Sequence, residues 1–450
     1  MSKNDSILKL PKLNNTNIAV IGLGYVGLPL IVSIARYFAE NNIENSDIIG
    51  FDISDIKIKK LKSKIDPTRE INHDELKYFE NIKFTSDNND IRDADLFIVC
   101  VPTPINKNNQ PNLDFLKSAS SIIGSELNKT ESNINKKLIV FESTVYPGVT
   151  EDICLPIIEN TSKKIYGKEF VVGYSPERIN PGDKVNNISN ITKLVSGSDD
   201  ETLNWLSYFY SKVISKQVFK VKNIKTAEAA KVVENIQRDL NIALVNELSM
   251  LFEKLNLSTQ DVLDAAGSKW NFIRYSPGLV GGHCIGVDPY YLTYKANSVG
   301  YNAEVILAGR RINDGMAEWI ANFGLKKTLN SFNPLPKNIK VGIFGFTYKS
   351  NCNDIRNSKV FNLYKTLKES GCEIEVSDPC ANEEEVLREY NIQLTNNENM
   401  TGKYHLVFIS VAHNIYKDKN IEYWKNIGFE ETIYVDIKNI LPNFRGLFKI

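Results

Sequence analysis

Short apolar runs alternate with helix-length amphipathic segments through the first half of the chain. NIAVIG (17–22), DIIGFD (47–52), DLFIVCV (95–101), KLIVFES (137–143), FVVGYS (170–175) and ITKLVSG (191–197) are nearly continuous in apolar residues. A strand wet on one face alternates polar and apolar positions, whereas unbroken runs fit a parallel sheet covered on both faces. A doubly wound domain over residues 1–220 is predicted. From Asn223 to Leu255 the period changes. Ile236, Leu240, Ala243, Leu244, Leu248 and Leu251 recur every three or four residues, as along one face of a single long helix. Helices over 258–266 and 301–330 complete a helical section spanning 221–330. SFNPLP (331–336) then breaks the chain, because two prolines and an asparagine disfavour regular structure. A second βαβ pattern occupies 337–450: IKVGIFGF, a helix over NSKVFNLYKTLKESG, CEIEVSDP, and the further strands YHLVFISV and TIYVDI. The expectation is an α/β protein with two doubly wound, Rossmann-like domains joined by a long central helix and helical section.

Composition narrows the class of partner. A chain of 450 residues exceeds one ordinary core, and 42% hydrophobic with 24% charged residues is a globular composition. The 54 basic side chains balance 54 acidic ones, so no bulk attraction to nucleic acid or to a membrane is expected. The N-terminal MSKNDSILKLPKLNN lacks the apolar core of a signal peptide. The nearby stretch LPLIVSIARYF is broken by Ser33 and Arg36 and falls short of the roughly 20 residues that cross a bilayer, so a cytoplasmic protein is expected. Six cysteines (100, 154, 284, 352, 372 and 380) show no paired spacing and should be reduced. Four histidines (73, 283, 405 and 413) are scattered, and no metal site is predicted.

GLGYVG follows the first strand and opens a helix. Gly22, Gly24 and Gly27, with Tyr25 and Val26 between them, suit a tight turn that brings backbone amides and a helix N-terminus to a pyrophosphate. Asp52 ends the next strand 25 residues after Gly27, near the position of a carboxylate that bonds ribose hydroxyls. A carboxylate there repels a 2′-phosphate, which favours NAD over NADP. Lys57, just beyond it, is a further cofactor candidate. Thr103 in VPTP, and Ser143 with Thr144 in FESTVYPG, follow strand ends, the edge where open α/β sheets bind ligands.

On the long helix Glu228, Lys231, Asn235 and Arg238 form a polar row. Such a row is ordinarily a solvated face; a buried Lys231 would instead be a candidate proton carrier. Cys284 lies in LVGGHCIGVDPYYL behind Gly281 and Gly282, with Asp288 four residues on, where small residues permit close approach to a ligand. Hydride transfer from an alcohol needs no thiol. A cysteine becomes useful when the aldehyde is oxidised again, because a thiohemiacetal can yield a second hydride. The pairing of GLGYVG with Cys284 suggests one enzyme that takes an alcohol to an acid. The other five cysteines read as inert small apolar residues.

GLGYVGLP, STVYPG, GYSPERINPGD, AEAAKVVENIQRDLNIALVNE, GGHCIGVDPYYL and FGFTYKSNCNDIRNS, in that order, resemble the UDP-glucose/GDP-mannose dehydrogenase family over nearly the whole chain. The resemblance is strongest to its branch acting on UDP-N-acetylhexosamines for bacterial surface polysaccharides. It implies an NAD-dependent, four-electron oxidation at C6 of a UDP-sugar by a homodimer or higher homo-oligomer, with the sugar nucleotide between the domains and UDP on the second. Cys284 is then the nucleophile. Lys231 and Asn235 stabilise the oxyanion and orient the sugar, Asp288 and Thr144 position water or relay protons, and Glu177 serves thioester hydrolysis. Lys349 and Arg356 lie near the nucleotide-sugar and NAD phosphates respectively.

Two positions depart from the UDP-glucose pattern: Val287 stands where a lysine is usual, and Pro181 where an acidic residue is. Both suggest a pocket altered for an acetamido group, with Arg178, Asn180, Arg274 and Tyr275 as candidate readers. UDP-N-acetylglucosamine is favoured; UDP-N-acetylgalactosamine, UDP-N-acetylmannosamine and UDP-glucose remain alternatives. Outside the family, a two-electron hydroxyacid dehydrogenase or a non-catalytic NAD-binding protein would leave Cys284 idle.

Overall fold

A computed structural model describes residues 8–68, 70–130, 135–178, 191–214, 217–282, 285–396 and 399–450. The chain divides into two units, Met1–Glu234 with Tyr290–Val299, and Asn235–Pro289 with Gly300–Ile450.

The first unit runs β1 (Ile18–Ile21), α1 (Gly27–Glu40), β2 (Ile48–Phe51), α2 (Asp55–Lys62), β3 (Lys83–Thr85), β4 (Leu96–Val99), α3 (Asp114–Asn128), β5 (Lys137–Phe141), α4 (Leu155–Ser162), β6 (Phe170–Tyr174), β7 (Lys193–Gly197), α5 (Asp200–Val213) and β8 (Val218–Lys220). Its sheet has the order β3-β2-β1-β4-β5-β6-β7-β8, which reverses direction between β1 and β4. That reversal opens a crevice at the strand C-termini. Every residue of β1, β2, β4, β5 and β6 is buried, as unbroken apolar runs require. One pairing differs from the all-parallel expectation: β7 lies antiparallel to β6. The intervening SPERINPGDKVNNISNI carries no helical stripe, and antiparallel neighbours need no crossover helix. The strands β3 and β8, three residues each, are too short for a periodic signal.

Helices α6 (Ile224–Leu255), α7 (Thr259–Ala266), α8 (Asp288–Ser298) and α9 (Glu304–Ser331) form the middle of the chain. On α6, Ile236 and Ala243 are buried, but Leu244 and Leu251 are 54% and 47% exposed. Spacing alone identifies a helix face without saying what it meets. Part of the buried face is polar instead. Arg310 Nη1 of α9 donates to Asp239 Oδ1 at 2.6 Å, and Asn313 Nδ2 donates to the same oxygen at 2.8 Å. Asn246 donates through Nδ2 to Asn313 Oδ1 (2.8 Å) and to the Gly278 carbonyl (3.1 Å), and accepts from the Gly278 amide (2.8 Å). These bonds join α6, α9 and the loop that leads towards Cys284.

The second unit continues with β9 (Lys340–Phe344), α10 (Val360–Glu369), β10 (Glu373–Ser377), α11 (Glu383–Tyr390), β11 (Tyr404–Ile409), β12 (Gly428–Asp436) and the three-residue β13 (Leu447–Lys449). The order is β10-β9-β11-β12-β13, parallel throughout. Alternate residues serve two cores: Ile343, Leu406 and Phe408 pack with Met316 and Ile320 of α9, while Phe344, Val407 and Ile409 pack with Trp424.

Burial pushes the Asp239 carboxyl pKa up, against the pull of Arg310. Arg310→Ala leaves that carboxylate without its cation and should cost about 3–5 kcal/mol in denaturant unfolding. Adding Asp239→Asn should recover part of the loss by removing the stranded charge.

Candidate active site

At the sheet reversal, Gly22 adopts φ +93°, and a Cβ there would stand 2.9 Å from the Cys100 carbonyl oxygen. A Cβ on Gly27 would fall 1.9 Å from the Gly22 oxygen. These glycines let α1 close onto the strands. Gly24 differs, with nothing within 4 Å of a Cβ, so its backbone is open to a ligand. Tyr25 and Val26 complete the turn, Val26 as the N-cap of α1. Asp52 is buried and accepts from the Leu23 amide (Oδ2, 3.0 Å) and the Ser54 amide (Oδ1, 3.0 Å). Lys57 Nζ lies 2.6 Å from Asp52 Oδ2. Asp52 thus pins the glycine turn and fixes a carboxylate beside it. Beyond β4 and β5, Thr103 Oγ1 donates to the Thr144 carbonyl (2.8 Å) and Ser143 Oγ to the Val101 carbonyl (2.6 Å). An open backbone at Gly24, a helix N-terminus and a fixed carboxylate fit a dinucleotide.

Glu177 joins a buried cluster that sequence reasoning missed. Lys193 Nζ lies 2.7 Å from Glu142 Oε2 and 3.4 Å from Glu177 Oε2, and the Tyr210 hydroxyl donates to Glu142 Oε1 at 2.6 Å. Burial disfavours charge on Lys193, but the Glu142 and Glu177 carboxylates outweigh it and raise its pKa. The available signal was a charged residue inside each of the apolar runs KLIVFES and ITKLVSG, since buried charges are normally paired. Arg178 is committed to Glu234 (Nη2 to Oε1, 2.7 Å) and to the Thr192 carbonyl (2.9 Å).

The polar row on α6 is mostly not solvated. Glu228, Lys231 and Asn235 are buried, and only Arg238 is exposed. In the first unit, Glu228 accepts from the amides of Gly148 (2.5 Å) and Thr150 (2.9 Å). Burial raises its pKa to about 7, against those two bonds. In the second unit, Asn235 Nδ2 donates to Asp288 Oδ2 at 2.5 Å, at the start of α8.

The second unit carries a cavity of about 230 Å³ lined by Gly281, Thr347, Tyr348, Lys349, Lys359 and Lys438, among others. Gly281 and Gly282 are small because of protein, not only ligand: a Cβ on Gly281 would meet the Asn357 carbonyl at 2.8 Å, and one on Gly282 the Tyr348 ring at 2.9 Å. Arg356 folds onto Asp354, with Nε 2.9 Å from Oδ1. Arg274 forms an exposed ion pair with Asp264 (2.7 Å), and Tyr275 donates to Gln237 Oε1 at 3.4 Å. Cys284 and Asn180 lie outside the described residues.

One unit with a dinucleotide turn and its strand-end carboxylate, and a second Rossmann-like unit whose cavity carries three lysines, fit a dinucleotide-binding protein with a separate domain for an anionic ligand. Comparison with known proteins specifies which. Models described as UDP-glucose/GDP-mannose dehydrogenase family match here as NAD binding domain (residues 16–214), central domain (225–315) and UDP binding domain (342–443). The chain belongs to the UDP-glucose/GDP-mannose dehydrogenase family and is an NAD-dependent nucleotide-sugar dehydrogenase. It is 43% identical to UDP-N-acetyl-D-glucosamine 6-dehydrogenase of Salmonella typhi, over 96% of this chain and 97% of that one. It is 45% identical to Protein CapL of Staphylococcus aureus, over 95% and 96% of the two chains. Among solved structures, UDP-D-ManNAc dehydrogenase from Pyrococcus horikoshii superposes with a TM-score of 0.83 at 26% identity, covering 96% of this chain and 98% of that one.

Asp52→Ala should weaken NAD binding by roughly tenfold to a hundredfold in calorimetry, through loss of a charge-assisted bond, and leave UDP affinity unchanged. Glu228 predicts a pH dependence. Its folded pKa of about 7 exceeds the ordinary 4.5, so folding favours its neutral form. That contribution is complete below 4.5 and is lost as pH rises through about 7. Unfolding free energy should therefore decline on its account by up to ~1.4 kcal/mol per pH unit across that window. Denaturant titrations at several pH values should show the slope removed in Glu228→Gln.

Proposed function

We propose that the protein is a UDP-N-acetylhexosamine 6-dehydrogenase, with UDP-N-acetylglucosamine as favoured substrate, supplying a uronic acid for surface polysaccharide. The observation that carries this is near-full-length identity of 42–43% to two proteins named UDP-N-acetyl-D-glucosamine 6-dehydrogenase, from Salmonella typhi and Pseudomonas aeruginosa. The cavity at Lys349, Lys359 and Lys438 supports a diphosphate-bearing ligand on the second unit, because clustered ammonium groups favour phosphate oxygens.

NAD, when bound, accepts one hydride in each of two successive oxidations. Asp52 and the GLGYVG turn hold its ribose and pyrophosphate, with Lys57 and Thr103 beside them, and Arg356 contributes to its phosphates. The first oxidation gives the C6 aldehyde, which the Cys284 thiolate attacks to form a thiohemiacetal. Lys231 and Asn235 stabilise the resulting oxyanion and orient the sugar. The second oxidation gives a thioester at Cys284. Water, positioned by Asp288 and Thr144 with help from Glu177, cleaves it to the carboxylate and returns the thiol. One alcohol and one water thus become a carboxylate, with two hydrides transferred and three protons released.

Burial of Lys231, Asn235 and Asp288 supports these roles, since a dry site strengthens each charge-assisted bond. Val287, also buried, supports an apolar lining where UDP-glucose enzymes carry a lysine. Arg178, Asn180, Arg274 and Tyr275 stay as candidate acetamido readers; in the described contacts Arg178 and Arg274 are occupied by carboxylates. The domain reading is cofactor binding over 1–220, a helical dimerisation section over 221–330 and UDP-sugar binding over 337–450. Exposed Leu244, Leu251 and Leu255 on α6 support a homodimer across that helix. No helix among the described residues is long and apolar enough to cross a membrane, and we place the enzyme in the cytoplasm.

Turnover assays should yield two NADH per UDP-N-acetylglucosamine consumed; one would indicate a two-electron dehydrogenase, and none a binding protein. UDP-glucose should be poorer by roughly tenfold to a hundredfold in kcat/KM, because a site built for an acetamido group leaves polar groups unpaired without it. Equal efficiency on UDP-glucose would remove the substrate assignment. Cys284→Ser should abolish acid formation and keep UDP-sugar binding, because a hydroxyl is a far weaker nucleophile.

A further inference from the structure

Because β7 runs antiparallel to β6, its first residue comes back along the end of that strand. The register pairs Gly173 with Gly197 and Tyr174 with Ser196, and continued along both segments it sets Lys193 opposite Glu177. Two bonds hold the return on either side of the lysine. Ser175 Oγ donates to the Leu194 carbonyl at 2.7 Å, and Arg178 Nη1 to the Thr192 carbonyl at 2.9 Å.

Glu177 is held at both oxygens. Oε1 accepts the Arg178 amide at 2.6 Å, and Oε2 lies 3.4 Å from Lys193 Nζ. The ammonium is fixed in turn: Glu142 Oε2 is 2.7 Å away, Tyr210 donates to Glu142 Oε1, and the Tyr210 ring centre lies 5.2 Å from Nζ. Side-chain exposure rises outward, from 0% at Glu142 through 5% at Lys193 to 11% at Glu177, which makes Glu177 the member of the trio nearest to a reactant. Stability alone does not account for the cation. An ion pair this deep is seldom better than apolar side chains of like volume, and burial pushes the Glu142 pKa up against the pull of Lys193. A cation between two carboxylates does fix the outer one. A general base works only when its oxygen is held within hydrogen-bond reach of the proton it takes.

We propose that Lys193 is a positioning residue for cleavage of the thioester at Cys284: its ammonium, braced by Glu142, holds the Glu177 carboxylate in place to take a proton from the attacking water. The proposal rests on Glu177 serving thioester hydrolysis. In that step a water proton passes to Glu177, a C–O bond forms at the thioester carbon, and the C–S bond breaks with its electron pair leaving on sulfur. The acid product ionises, and the proton on Glu177 restores the thiol. Lys193 keeps its proton throughout. Neither oxidation needs Glu177, so the effect of Lys193 is confined to the last step.

Two variants of the full chain remove the cation without stranding a buried charge. One pairs Glu142→Gln with Lys193→Met; the other is Lys193→Gln, where Glu142 can take up a proton. With UDP-N-acetylglucosamine and excess NAD, rapid mixing should show a burst of two NADH per site at the native rate. Hydrolysis should then be about tenfold to a hundredfold slower, with sugar nucleotide attached at Cys284 in denaturing mass spectrometry. Glu142→Gln alone keeps the ammonium and should hydrolyse faster than the pair. Adding the pair to Glu177→Gln should slow hydrolysis no further, since both act through one carboxylate. Native hydrolysis in both cation-free variants, equal slowing of the first oxidation, or a Glu142→Gln defect as large as the pair's overturns the role of Lys193. Native hydrolysis in Glu177→Gln removes the Glu177 reading and the proposal with it, whereas slow hydrolysis there beside native hydrolysis in the cation-free variants overturns Lys193 alone.

Discussion

The structure depends on a device used twice: an aspartate just beyond one strand captures the backbone amides of the turn after its neighbour. Asp52, beyond β2, holds the Leu23 amide after β1. Asp378, beyond β10, holds the Phe346 and Thr347 amides after β9. Each turn leaves a strand at the sheet reversal, where amide groups have no ladder partner. A carboxylate satisfies them and fixes the crevice at once. The two units share this bond although the sequences around it differ.

What surrounds the two carboxylates separates their uses. Asp52 accepts two amides and the Lys57 ammonium, and the neighbouring Gly24 is open. Asp378 is crowded: Oδ1 also accepts from the amides of Cys380 and Ala381, and Oδ2 lies 3.2 Å from the Thr347 hydroxyl as well as beside His413. Burial opposes its charge, but His413 and these bonds hold its pKa down at about 2. A carboxylate so fully engaged has no lone pair for ribose hydroxyls. The second unit keeps the doubly wound scaffold and cannot read a dinucleotide as the first does. Its cavity offers lysines instead.

The long strands and the glycine turn were legible because each is a local pattern: an unbroken apolar run, or glycines at a strand end. The antiparallel β7 was not, since direction depends on what fails to form between strands. The three-residue β3, β8 and β13 were too short to carry a period. In the site, the polar row of Lys231 and Asn235 was visible from its spacing but its burial was not, because a polar row on a helix looks the same wet or dry. Glu142 with Lys193 was hidden by sequence separation. The two are 51 residues apart, and contact order leaves no local trace.

The glycine pair before Cys284 was read as room for a ligand, and the packing adds a second constraint. Gly281 and Gly282 fit against Tyr348 and Asn357, and Asn357 Nδ2 donates to the Gly282 carbonyl at 3.3 Å. Gly278, at the start of the same loop, is held through both its amide and its carbonyl by Asn246. Tyr348 and Gly281 both line the cavity. The stretch Gly278–Gly282 is therefore fastened to the cavity wall at one end and to α6 at the other. A side chain at either glycine would push this stretch away from Tyr348, displacing the approach to Cys284 and the cavity together. The small residues at 281 and 282 are needed for seating this stretch against Tyr348 and Asn357, whatever ligand they also admit.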